Sequence, residues 1–130
     1  MSKIEVMVRR FLAVLATIVA PPAEAEMFGP DYQLCGDKPN TLAIVECLQA
    51  KTKASDQSLN AAYKALQARI DSAQRQPLLT AQRLWVQYRD ANCGFYGAQE
   101  GSIRQVQAAE CMRSMTEDRA RELKKAMKFD

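Results

Sequence analysis

The sequence predicts a small all-α domain, a bundle of three to four helices stapled by two disulfides. Three observations carry this prediction. Apolar residues recur at helical spacing through each long segment, and no stretch alternates with the period of a strand. Four cysteines occur in a short chain that opens with an export signal. Glycine and proline gather at a few points between the periodic segments.

Residues 1–25 read as a cleaved signal peptide, outside the fold. Arg9 and Arg10 form a basic n-region, and Phe11 to Ala20 is a run of ten residues, apolar but for Thr17. Ala23-Glu24-Ala25 then supplies an A-x-A cleavage site, so the mature chain is expected to begin at Glu26. Ten such residues are half of the roughly 20 that span a bilayer, so no retained anchor and no stable membrane insertion is expected. Met7 is a second candidate start, since it leaves Glu5 out of the n-region. A twin-arginine signal wants a residue between the arginines and Phe11. A lipoprotein wants a cysteine directly after the apolar run, and Cys35 comes 15 residues later. The expected location is therefore periplasmic or secreted, as a soluble product.

Residues 26–130 make one domain. At this size a chain buries only about two thirds of its unfolded surface, so covalent staples help. Without the leader it holds 15 basic and 13 acidic residues, a net charge near +2. With no basic stripe carrying interleaved aromatics, nucleic acid is not an expected partner. The four cysteines allow three connectivities, among which spacing alone does not choose. The favoured pairing is local, Cys35 with Cys47 and Cys93 with Cys111. Each bridge closes a short loop, worth about 3 kcal/mol in the chain-entropy model. The chain has no C-x-x-C pair and no histidine, which argues against a metal site, a thioredoxin-like role or any cofactor.

The elements follow in order. Residues 26–39 contain Pro30, Gly36 and Pro39 and are expected to be extended or irregular. A helix starts at Asn40 or Thr41, either of which suits an N-cap, and runs through Ile44, Cys47 and Leu48. The polar stretch Lys51 to Asp56 is expected to kink or break it, with Ser55 or Asp56 as a new cap. Leu59, Tyr63, Leu66 and Ile70 continue the period, and Ser72 to Gln76 is read as a turn. Pro77 fits the first position of the next helix, where its missing N–H costs nothing. In that helix Leu78, Ala81, Trp85, Tyr88 and Asn92 recur at steps of 3, 4, 3 and 4 and share a face. Residues 94–101 hold three of the five glycines and are read as a loop. Ser102 and Gln105 have capping-box spacing. The last helix, about 103 to 127, is expected to bury Val106, Ala109, Met112, Met115, Leu123 and Met127.

Three stretches of this pattern match a known family. They are Asp56-x-x-Leu59-Asn60-x-x-Tyr63-x-x-Leu66, then Ala81-Gln82-Arg83-x-Trp85-x-x-x-Arg89-Asp90-x-x-Cys93, and finally Cys111 with Thr116-x-x-Arg119-x-x-x-Leu123. From about Cys35 to Leu123 the chain resembles the lysozyme inhibitor LprI-like N-terminal domain family. The resemblance implies a small helical, disulfide-bonded domain of the bacterial envelope or secreted fraction and, in the namesake, inhibition of lysozyme.

Most of the motif reads as structural. Asp56, Asn60 and Tyr63 share a helix face, and Arg89 lies on the packed side of its own helix, where polar groups pair with one another. Arg89 is expected to meet Asp56 or Glu46, while Asn60 and Tyr63 satisfy nearby backbone. Gln82, Arg83, Asp90 and Arg119 belong to the same structural set, and Trp85 is expected in the core. Glu110, Glu117, Asp118 and Glu122, set beside Arg113, Arg119 and Arg121, read as a mixed, solvated face.

The candidate recognition residues are Phe95 and Tyr96. A Cys93–Cys111 bridge ties their segment at its base, and rigid aromatics make good interface anchors. No catalytic residue is assigned, since the chain has no histidine, no nucleophile elbow and no metal-ligand cluster. The functional expectation is an exported binding protein whose protein partner is lysozyme or a related wall hydrolase. The alternative is an envelope interaction or chaperone-like module without a hydrolase target.

Overall fold

Two capping side chains fix where the long helices begin. The computed structural model describes residues 27–128. Within them the chain forms α1 (Pro30–Gly36), α2 (Thr41–Arg69), α3 (Ser72–Gly97) and α4 (Ile103–Ala126). The expected signal peptide, its cleavage site and the Met7 start lie outside the described residues. Asn40 Oδ1 accepts the Ala43 N–H at 2.9 Å and starts α2, as expected. Asp71 Oδ1 accepts the N–H groups of Ala73 and Gln74, while Gln74 Oε1 accepts the Asp71 N–H, a full capping box.

That box corrects the reading of residues 72–76 as a turn. It begins α3 at Ser72 and leaves Pro77 inside the helix instead of at its first position. Residues 26–39 are not wholly irregular either. Pro30 opens α1 at its first turn, Asp31 complements the helix dipole there, and Cys35 is fully buried. The polar stretch 51–56 does not break α2, which runs unbroken for 29 residues. Its Thr52 and Ser55 continue the spacing of Leu48, Leu59, Ala62 and Leu66, and the Thr52 hydroxyl donates back to the Leu48 carbonyl at 2.9 Å. Small polar residues hold the inner stripe there, and their polarity disguises it in the sequence.

Helix α3 continues to Gly97, so the loop read at 94–101 shrinks to its second half. Gly101, at φ 84, takes the left-handed conformation that a β-carbon disfavours. The Ser102 capping box does not form. Ser102 is itself helical, and the Gln105 N–H bonds its carbonyl at 3.3 Å instead of its hydroxyl.

Helix α4 is the hub. It packs along α2 and α3, whereas α2 and α3, joined by Ile70 and Asp71, scarcely touch each other. One apolar cluster unites Cys35, Leu48 and Val106, and a second unites Leu59, Ala62, Leu66, Ile70, Ala120 and Leu123. The order of these pairs shows α2 and α4 running in the same direction, with α3 antiparallel to α4. Disulfides Cys35–Cys47 and Cys93–Cys111 join α1 to α2 and α3 to α4. Both are the favoured local bridges.

Between the two clusters α4 buries charge. Glu110 and Arg113 are 0% and 1% exposed. The Arg113 guanidinium donates to both Glu110 carboxylate oxygens at 2.7 Å and to Glu117 at 2.6 Å. Glu110 also accepts the Phe28 N–H at 3.1 Å, and Asp31 stands 3.9 Å from Arg113. The network thus ties α4 to the segment that enters α1. The Glu110 hydrogen bonds hold the Arg113 pKa above its ordinary value against the opposing effect of burial, and the charges of Glu110, Glu117 and Asp31 add to the rise. The solvated-face reading is therefore wrong for Glu110, Arg113 and Arg119, because a hub helix enclosed by α1, α2 and α3 has little free surface. Of the residues expected to be buried, Val106 and Leu123 are, while Ala109, Met112, Met115 and Met127 are only half-buried.

Candidate protein-binding surface

Phe95 and Tyr96 sit on the last turn of α3, two and three residues beyond Cys93. The Cys93–Cys111 bridge fixes that turn to α4, and the Ala98 N–H closes it by bonding the Gly94 carbonyl at 3.0 Å. Met115 Sδ packs 3.8 Å from Cys93 and 3.7 Å from Cys111, filling the space under the bridge. Phe95 is 66% exposed, and its ring meets Tyr96 edge-on at 5.3 Å. The two aromatics stand on a helical turn, which fixes their backbone more firmly than the expected loop.

The motif residues gather elsewhere on α3. Trp85 is half-buried, with the guanidinium groups of Arg89 and Arg119 at 5.1 and 5.9 Å from its ring. Arg119 donates to Gln82 at 3.0 Å and pairs with Glu122 at 2.8 Å. Arg89 pairs with Asp90 at 2.9 Å and reaches the Thr116 hydroxyl at 3.5 Å. Its expected partners Asp56 and Glu46 are not those it meets, because α3 faces α4 and not α2. Asp56 accepts from Asn60 at 3.3 Å, and the Tyr63 hydroxyl accepts from Gln67 at 2.9 Å, so both satisfy side chains along α2 and not backbone. Arg83 is exposed. Leu78, Trp85 and Asn92 lean inward, but Ala81 and Tyr88 face outward, so the five-residue stripe straddles the edge of the buried face.

The gap between α2 and α3 leaves a groove of about 690 Å³ beside the bridge. Ala108, Ala109 and Met112 of α4 form its floor, with Val45 on one wall and Gly94 on the other. Asp90, the carboxylate among its lining residues, is already paired with Arg89. The arrangement suits an apolar contact better than proton transfer. Residue spacing could have revealed the Glu110–Arg113–Glu117 network, an acid–base–acid series at steps of 3 and 4. The groove had no signal, since it follows from how α2 and α3 splay.

Among known proteins, the family described as lysozyme inhibitor LprI matches residues 35–123. An uncharacterized protein of Rhizobium meliloti (strain 1021) is 27% identical over 121 residues, covering 82% of this chain and 85% of that protein. No solved structure shows a significant match.

Proposed function

Because the chain belongs to the lysozyme inhibitor LprI family, we propose that it is an exported inhibitor of lysozyme or a related cell-wall hydrolase. Phe95 and Tyr96 are the anchors it presents. The observation that carries this reading is a two-thirds exposed phenylalanine two residues beyond a disulfide, on a turn that cannot swing away. Most of the ordering entropy of such an anchor is lost on folding and not on binding. Two disulfides suit an oxidising compartment, and no helix among the described residues is long and apolar enough to cross a membrane. The net charge near +2 gives no long-range attraction to a basic lysozyme, so affinity rests on local contact.

Titrating the oxidised mature domain into a peptidoglycan hydrolysis assay tests the proposal. Saturable inhibition that disappears on reduction of the bridges is the expected result. Absence of inhibition across the main lysozyme types would overturn it. The groove between α2 and α3 favours a second reading, an envelope module that binds another protein. In that case captured envelope proteins, not hydrolases, would compete for the same surface.

A further inference from the structure

The groove between α2 and α3 combines an apolar floor with one charged group among its described lining residues. Ala108, Ala109 and Met112 supply the floor, and Asp90 is the charged group. Gln49, Thr52 and Gln105, also in the lining, are polar but neutral. Both contacts from Arg89 to Asp90, at 3.0 and 2.9 Å, fall on Oδ1, and the Asp90 side chain is 57% exposed. Oδ2 therefore keeps its lone pairs for a donor from outside. The Thr52 hydroxyl commits its proton to the Leu48 carbonyl at 2.9 Å, so to any further group it can only accept. The negative end of α3 and the positive end of α4 meet at one mouth of the groove, near Gly94 and Gln105, and offset each other. Asp90 is left to set the sign.

We propose that this groove takes a lysine side chain presented by a protein partner. The four-carbon stem lies along Ala108, Ala109 and Met112, and the ammonium reaches Asp90 Oδ2. Lysine suits such a place, since its stem covers apolar surface while its head stays with water and a counter-ion. An ammonium carries three donors and no acceptor. The lining answers with a carboxylate oxygen, a hydroxyl oxygen and the amide carbonyls of Gln49 and Gln105. An acidic side chain would meet Asp90 with like charge. A wholly apolar one would take water from that carboxylate and return no hydrogen bond. A volume of about 690 Å³ also leaves room for the residues that flank the lysine.

This inference rests on the reading of the chain as a protein-binding module and names the partner chemistry at the groove, apart from the Phe95 anchor. Its test needs no hydrolase, so it can fail while inhibition stands, and inhibition can fail while it stands.

NMR titration of the oxidised, exported chain with the tripeptide acetyl-Ala-Lys-Ala-amide tests the proposal. Weak, saturable shifts are expected at the amides of Gly94, Ala108, Ala109 and Met112. The norleucine analogue keeps the four-carbon stem without the ammonium. It should bind roughly two- to fivefold more weakly, the margin an exposed ion pair supplies. Asp90→Asn should erase that margin. Gly94→Leu should weaken both peptides, because a β-carbon there meets nothing within 4 Å and the longer side chain occupies the groove. Melting curves establish that both variants fold. Equal binding of the two peptides to wild type overturns the proposal. So does a lysine preference that survives Asp90→Asn, or shifts confined to residues outside the groove. Free butylammonium binding as tightly as the lysine peptide would also overturn it, by assigning the groove to small amines.

Discussion

Removing Arg113 leaves the Glu110 carboxylate buried with neither water nor a counter-ion, whereas removing Glu110 leaves Arg113 its bond to Glu117 at 2.6 Å. Arg113→Met should therefore cost about 3–5 kcal/mol in chemical denaturation, and Glu110→Gln less. The double change Glu110→Leu with Arg113→Met should be less damaging than Arg113→Met alone, since it leaves no orphaned charge in the core. Equal or additive losses would show that the pair is not acting as a unit. The sign of its pH dependence follows from the raised Arg113 pKa. Stability from this group is present at all lower pH and is lost only above the ordinary arginine range, so Arg113 adds no slope between neutral and mildly alkaline pH. The residue-level reading of the sequence succeeded where chemistry is local. Cysteines at short spacing pair with each other, as both bridges do. It missed Glu110 and Arg113, because acid–base spacing on a helix looks the same whether water or another helix covers it.

At the scale of elements, α3 contains its own weak point. Pro77 has no N–H for the Ala73 carbonyl one turn earlier, and its side chain is exposed. Pro77→Ala should raise the stability of the domain by about 1–3 kcal/mol. An unchanged or lowered Tm would mean that this turn is strained for another reason. The three long helices were legible because Leu59, Leu66 and Ile70, or Leu78 and Trp85, keep helical spacing. Their ends were less legible. Asp71 and Gln74 form a capping box that was passed over in favour of Pro77, and α1 is too short, at seven residues, to show a period. The expected kink or break in α2 rested on the polarity of residues 51–56, although the Leu48–Leu59 stripe runs through Thr52 and Ser55.

For the whole molecule, the stapled helical bundle was readable from cysteine count, periodicity and size, but the role of α4 as hub was not. Which helix is enclosed depends on contacts between distant segments, and α4 gives little apolar signal because it buries Glu110, Arg113, Ser114 and Thr116. Reduction of both bridges, which span 12 and 18 residues, should cost about 3 kcal/mol for each loop. A reduced domain that melts with the oxidised one would contradict the stapled account. Inhibition should also change little with ionic strength, since no net charge steers the partners together. The most direct test of the central claim compares Phe95→Ala with Leu42→Ala in the peptidoglycan hydrolysis assay, beside their melting curves. Both positions are exposed, so both variants should melt as wild type. The account predicts that Phe95→Ala weakens inhibition by roughly tenfold or more, as loss of an interface anchor does, while Leu42→Ala inhibits as wild type. Full inhibition by a folded Phe95→Ala domain would contradict it.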